Sequence, residues 1–258
     1  MHTDHPSLAG KSIIVTGAAQ GIGRAIAQLA LDLGATVTAV DLNAPSLQAF
    51  ADEAGRDRLL PMAGSVAEPD FATEVVAKAA QTFGAVHGLV NNAGIVRPAM
   101  IEKMSKEAWQ QVIDVHLSGS FFFLQAVGCH VLARVRAGDK VAGAIVNISS
   151  DAGRKGTVGQ INYSAAKAGL FGLTMSAARE WARYGLRVNT VGFGVVETPM
   201  TETIRGEKFR DTYLAQIPLG RWAEPHEAAH PVCFLLSDAA SYVTGQHLSA
   251  NGGFTIGL

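Results

Sequence analysis

The sequence predicts an α/β fold, a doubly wound parallel sheet of seven strands with helices on both faces. Three observations carry this. Short apolar runs alternate regularly with stretches whose apolar residues recur at helical spacing, and strands separated by helices require right-handed crossovers and a parallel sheet. A glycine cluster follows the first apolar run directly and opens a helical segment. No Pro/Gly/Ser linker, repeat or low-complexity stretch divides the 258 residues, so residues 1–258 are expected to form one domain.

The expected strands are 12–16, 36–40, 58–62, 86–90, 144–148, 186–191 and 246–249, with helices at about 22–33, 44–54, 68–83, 105–136, 162–184 and 225–236. Ser12-Ile13-Ile14-Val15-Thr16 is the first strand. Gly17-Ala18-Ala19-Gln20-Gly21-Ile22-Gly23 follows with the spacing G-x-x-x-G-x-G, not G-x-G-x-x-G. Glycines let the backbone turn tightly and approach a pyrophosphate, and the helix behind them offers unpaired N–H groups at its positive end. Strand, glycine turn and helix in this order define a Rossmann-like dinucleotide site.

Asp41 ends the second strand eighteen residues after Gly23, where the acid that binds an adenosine ribose is expected. Its alternative role is a cap for the helix from Ala44, with Pro45 in the first turn. An anion there repels a 2′-phosphate by ~4 kcal/mol per unit pair at about 4 Å and an effective dielectric of about 20. No Arg or Lys stands at Ala18, Ala19, Gln20, Leu42 or Asn43 to offset this. NAD is therefore the expected cofactor, with NADP disfavoured.

Tyr163 and Lys167 in Tyr-Ser-Ala-Ala-Lys share one helix face. An ammonium one turn from a phenol favours the phenolate and draws its pKa down towards working pH. Ser150 ends the apolar run Ala144-Ile145-Val146-Asn147-Ile148, thirteen residues before Tyr163, so a hydroxyl, a phenol and an ammonium are expected at one strand tip. Its neighbour Ser149 is read as structural.

On these residues the chain resembles the short-chain dehydrogenase/reductase family almost end to end. Thr16 to Gly23 is similar to the family's cofactor turn, Asn91-Asn92-Ala93-Gly94 to its strand-four motif, and Ser150, Tyr163 and Lys167 to its catalytic group. Pro218-Leu219-Gly220-Arg221 and Tyr242-Val243-Thr244-Gly245 are similar too. The resemblance implies hydride transfer between a nicotinamide and a secondary carbinol carbon, with Tyr163 as acid/base. Ser150 then donates a hydrogen bond to the substrate oxygen, and Lys167 holds the nicotinamide ribose. It further implies cofactor contacts from Gly17, Gln20, Gly21, Ile22 and Gly23 in the turn, and from Asn91, Ala93 and Gly94 beneath the adenosine ribose. Ser65 and Val66 are expected at the adenine, Val196 and Thr198 at the carboxamide. A dihedral homotetramer through helices 105–136 and 162–184 and the last strand is implied as well, Phe121, Phe122, Phe123 and Trp181 lying on those helices.

Several positions depart from the family pattern. His116 in Asp114-Val115-His116-Leu117-Ser118-Gly119 replaces an Asn whose relatives support a proton-relaying water. A histidine either keeps the backbone carbonyl that holds the water, shuttles protons itself near neutral pH, or is a semi-buried spacer. Phe193 replaces a usual Pro, Asn251 a common Asp, and Ser65 an Asp that often contacts adenine. His226-Glu227-Ala228-Ala229-His230 satisfies H-E-x-x-H, but Pro231 is expected to disturb that helix and no third ligand has zinc spacing, so no metal site is expected.

Composition narrows the rest. Charged residues make up 17% and hydrophobic ones 48%, enough to bury a large core, and a net charge of −1 with no basic run disfavours nucleic acid. Cys129 and Cys233 lack metal or redox spacing and are read as reduced and buried. The polar start, Met1 to Lys11, is not a signal peptide, and no 18-residue apolar stretch suggests a spanning helix, so a cytoplasmic protein is expected. The lid-like segment Pro199 to Gln216 is crowded with charge, and Arg97, Arg154 and Lys155 are placed near the pocket mouth, which suits an anionic or carrier-linked substrate. Three functions fit. The leading one is an NAD-linked enzyme interconverting a small-molecule secondary alcohol and ketone. Next is a 3-oxoacyl-carrier-protein reductase, whose usual NADPH preference sits badly with Asp41. The third is a non-catalytic NAD-binding sensor or scaffold.

Overall fold

Residues 12–16 are buried without exception, so the strand they form must have neighbours on both edges and both faces. In the computed structural model, which describes residues 6–141 and 143–257, it has all four. This strand, β1 (Ser12–Thr16), pairs in parallel with β2 (Thr36–Asp41) on one side and β4 (Gly88–Asn91) on the other. Beyond β2 lies β3 (Leu59–Ala63); beyond β4 follow β5 (Gly143–Ser150), β6 (Leu186–Phe193) and β7 (His247–Ala250). The order is β3-β2-β1-β4-β5-β6-β7, all parallel, the Rossmann-like arrangement expected.

Alternate residues of each strand feed two cores. Ile13 and Val15 join Ile26, Ala30, Phe50 and Val232 from α1 (Gly21–Asp32), α2 (Ala44–Ala54) and α10 (Pro225–Leu236). Ile14, Leu89 and Ile145 face the other way, against α3 (Pro69–Phe83), α5 (Gly119–Arg136) and α7 (Ile161–Trp181). Full burial of each large aliphatic side chain contributes about 1.5–3 kcal/mol, so both helical layers are needed to hold the sheet.

Most bounds fall within two residues of expectation. The helix expected at 105–136 is continuous but changes winding: α4 (Lys106–Ile113) passes through a π-helical turn, Asp114–Ser118, into α5. Among the described residues this run, Lys106–Arg136, is long and apolar enough to cross a membrane by length and composition, contrary to the sequence reading. Here it lies against α3, α7 and β4 within the fold. A short α6 (Ala152–Lys155) follows β5, and the lid-like segment folds into a 3-10 turn, Pro199–Thr201, then α8 (Glu202–Arg205) and α9 (Glu207–Leu214). Pro231 does not stop α10, because Ala228, Ala229, Val232 and Cys233 are buried around it. Cys129 is exposed, not buried as expected; burial pushes the Cys233 thiol up to about 12. Residues 1–5 of the polar start lie outside the described residues.

Candidate active site

The chain winds outward from β1 through β2 and β3, then returns to the far side of β1 as β4. Such a reversal opens a crevice at the carboxyl ends of the two strands. A cleft of about 300 Å³ lies there, lined from one end to the other by Asp41, Gly17, Gly94, Tyr163 and Thr198 among others.

The glycine turn is built for close approach. Gly17 (φ 67°) and Gly21 (φ 57°) take the left-handed conformation that side chains disfavour. A Cβ on Gly23 would overlap Gly17 O and Asn92 Nδ2, so turn, helix and the tip of β4 touch backbone to backbone. Asn92 Nδ2 donates to Thr16 O (2.9 Å) and Gly17 O (3.2 Å), while Thr16 Oγ1 accepts from the N–H groups of Asn92 and Ala93, both at 3.0 Å. These bonds fasten the two strand tips that frame the crevice. Helix α1 starts with no side-chain cap and no acidic residue in its first turn, which leaves its N–H groups and positive end for an anion. The residues present therefore fit a dinucleotide pyrophosphate.

Gln20, Ile22, Ser65, Val66, Ala93, Gly94, Val196 and Thr198 also line the cleft, alongside Gly17, Gly21 and Gly23. Asn91 does not. It is buried on the opposite side of the strand, its Nδ2 donating to Ser120 O (3.0 Å) and Asn147 Oδ1 (2.9 Å). Its neighbour Asn92 takes the cleft-facing place, a partner the sequence reading missed; the period-two alternation of a strand held the signal. Asp41 does line the cleft, yet both its oxygens are engaged: Oδ2 accepts from Ala19 N (3.1 Å) and Oδ1 from Asn43 N (3.0 Å). Asn43, not Asp41, caps α2 by accepting from Ser46 N.

At the tip of β5, Ser150, Tyr163 and Lys167 converge in the cleft wall. Helix α7 is pinned at its start by Asn162, wholly buried, whose Nδ2 donates to Arg97 O (3.0 Å) and Ala108 O (3.1 Å). Ser149 Oγ donates to Lys167 O (2.9 Å), the structural role expected of it. Lys167 is 4% exposed, and its Nζ donates to Ile148 O at 2.6 Å. Burial lowers its pKa from 10.5 to about 7. Burial also raises the Tyr163 phenol above its ordinary value, with Ser150 beside it drawing it back. Burial thus outweighs the pull of Lys167 on the phenol that helical spacing suggested. The lysine is itself only partly charged near neutrality and sits 5.6 Å from the ring centroid.

His116 lies in the π-helical turn, 2% exposed, with Nε2 2.8 Å from Ile95 O. Burial, then the nearby Lys167 charge, lowers its pKa to about 3, so it does not titrate near neutral pH. The three cations placed at the pocket mouth are engaged elsewhere. Arg97 donates to Gln111 and Val96 O, Arg154 to Ser249 and Gly257 O, and Lys155 covers the Phe254 ring. In the H-E-x-x-H segment, Arg221 clamps both Glu227 oxygens (2.6 and 2.7 Å) and holds that carboxyl down at about 2. Among the described residues no group of three metal-ligating side chains assembles.

A parallel seven-stranded sheet, a glycine turn at its reversal point and a Ser/Tyr/Lys strand tip define a dinucleotide-dependent oxidoreductase. The chain belongs to the short-chain dehydrogenase/reductase family: the family profile described as enoyl-(acyl carrier protein) reductase matches residues 17–255. It is 43% identical over 251 residues to the 3-oxoacyl-[acyl-carrier-protein] reductase FabG of Thermotoga maritima, covering 96% of this chain and 99% of that one. It is 41% identical over 244 residues to the Escherichia coli (strain K12) protein of the same name, covering 95% and 97%. Identity is 39% over 248 residues to the acetoacetyl-CoA reductase of a Synechocystis strain, covering 95% and 96%. The chain is accordingly an NAD(P)-dependent oxidoreductase.

These relatives correct the expected preference for NAD over NADP. They carry the name of the reductases whose usual NADPH preference was set against Asp41. The carboxylate that argued for NAD has its charge spread into the backbone N–H groups of Ala19 and Asn43.

Proposed function

We propose that this chain, as one catalytic domain, reduces the ketone of a 3-oxoacyl thioester to the secondary alcohol at the expense of NADPH. The observation that carries the reading is 41–43% identity across nearly the whole chain to several 3-oxoacyl-[acyl-carrier-protein] reductases. Acetoacetyl-CoA reductase, at 39%, acts by its name on the same thioester class.

Bound nicotinamide dinucleotide supplies the hydride to the ketone carbon. The glycine turn and the free end of α1 bind the pyrophosphate, and Val196 and Thr198 face the nicotinamide end. Ser150 donates a hydrogen bond to the ketone oxygen and stabilises the charge that develops there. Tyr163 gives the proton to that oxygen. Lys167, half-charged near pH 7, is the cation that offsets the phenolate left behind, and its contact with Ile148 O fixes its reach. The thioester itself is untouched.

The test is NADPH consumption with an acetoacetyl thioester. Wild type turns over and Tyr163→Phe does not, while NADPH binding survives in the variant. Wild-type inactivity on every 3-oxoacyl thioester tried, with turnover of simple alcohols, would refute the substrate class. A homotetramer is part of the same reading. Phe121 on α5 and Met175 on α7 are 44% and 52% exposed, the apolar surface such an interface covers. Phe123 and Trp181 are spent in the core. Light scattering returning a monomer refutes it.

A further inference from the structure

We propose that His116 is a positioning residue for Tyr163, a wedge set between the Ile95 backbone and the phenol ring; this rests on Tyr163 being the proton donor proposed above. Both of Ile95's backbone groups lie against one ring atom: His116 Nε2 is 3.0 Å from its nitrogen and 2.8 Å from its carbonyl oxygen, donating to the carbonyl when Nε2 carries the proton. The imidazole meets Tyr163 edge to face, with centroids 5.1 Å apart and planes at 89°. Gly94 makes room for it, since a Cβ there would overlap His116 Cε1. The backbone is held as well, Ser120 Oγ donating to His116 O at 2.6 Å across the π-helical turn.

The other contacts hold the imidazole, and the imidazole acts on Tyr163. An aromatic edge against its ring favours one orientation of the phenol, and such a pair adds to the packing in its own right. The imidazole also fills the space beside the ring that water would otherwise take. Tyr163 and Lys167 are the titratable groups that face it, and burial together with the Lys167 charge keeps it neutral throughout the working range. A π-helical turn widens the backbone by one residue, a feature often found at functional sites. Here that extra residue is spent on seating the ring, in place of the proton shuttle suggested by sequence.

The test uses His116→Ala, His116→Gln and Gly94→Ala beside wild type and Tyr163→Phe. His116→Ala lowers kcat by roughly a hundredfold, the cost of about 1 Å of misplacement, with the KM for NADPH within about twofold. It also admits water to the phenol. Ionisation of Tyr163, read as tyrosinate absorbance in cofactor-free protein against Tyr163→Phe, then moves to lower pH. Gly94→Ala displaces the ring without changing it and lowers kcat in the same direction. His116→Gln, whose amide serves both Ile95 groups, recovers kcat to within about tenfold of wild type.

Two results overturn the proposal. One is wild-type kcat and an unmoved phenol titration in His116→Ala, whatever its melting temperature. The other is a limb of the pH–rate profile that vanishes in His116→Gln, the mark of a titrating imidazole. Retained turnover in Tyr163→Phe would instead remove the acid assignment, and the cofactor-free titration would still report the His116 contact.

Discussion

Lys167→Met isolates the cost of keeping an ammonium inside this fold. Burial takes the lysine from 10.5 to about 7. A lysine with a lowered folded pKa binds fewer protons folded than unfolded between those two values. Stability therefore rises with pH from about 7 to 10.5, and the penalty is fully present below about 7. That lowering corresponds to about 5 kcal/mol, or about 4 at pH 7, where the group is half-charged. Methionine has similar length and no charge, but leaves Ile148 O without its partner, costing about 1–3 kcal/mol. The variant is then more stable than wild type by roughly 2 kcal/mol at neutral pH and less stable by a similar amount above about pH 10.5, while turnover is lost. Urea unfolding of both proteins from neutral to alkaline pH measures the crossover. A stability difference that stays constant across that range would refute the account of Lys167 as a buried, strained charge.

Gly23→Ala drives a methyl into Gly17 O and Asn92 Nδ2, so it costs about 1–3 kcal/mol in urea unfolding and abolishes NADPH binding in a fluorescence titration. Asp41→Asn removes the anion from the cleft wall and raises NADPH affinity about tenfold, or about 1.4 kcal/mol, with little change for NADH. Asn251→Asp sets a second carboxylate where Asn251 Nδ2 now donates to both Asp151 oxygens at 2.9 Å. Burial already raises the Asp151 pKa, so the pair shares a proton more readily than either acid alone. The variant is weaker by about 2–4 kcal/mol at neutral pH, and the deficit shrinks as pH falls through the carboxylate range.

Much of this was legible in sequence because the relevant signals are periodic or fixed in spacing. Ile13, Ile14 and Val15 announce a strand covered on both faces, and Tyr163 and Lys167 must share a helix face wherever that helix packs. What stayed hidden depends on contacts between distant segments. Asn91 and Asn92 are adjacent and chemically alike, and only the strand's pleat decides that the first turns inward to Asn147 and the second to Thr16. The direction of the Tyr163 shift follows from burial by several segments, a quantity that helical spacing does not contain. Pro231 breaks helices on local grounds, yet the packing of α10 on α1 outweighs it. Long cationic side chains such as Arg97 and Arg154 reach far enough that sequence position leaves their partners undetermined.

The stretch from Asn251 to Gly257 works as a strap across the mouth of the sheet. Asn251 grips Asp151, next to Ser150, while Gly257 O receives Arg154 and the Phe254 ring lies under Lys155. The order of α6, which also packs on α7, and through it the neighbourhood of the strand-tip hydroxyl, is thus tied in part to this strap. A substitution that frees Asn251 or Phe254 therefore loosens the surroundings of Ser150 from a distance, without touching a residue of the cleft.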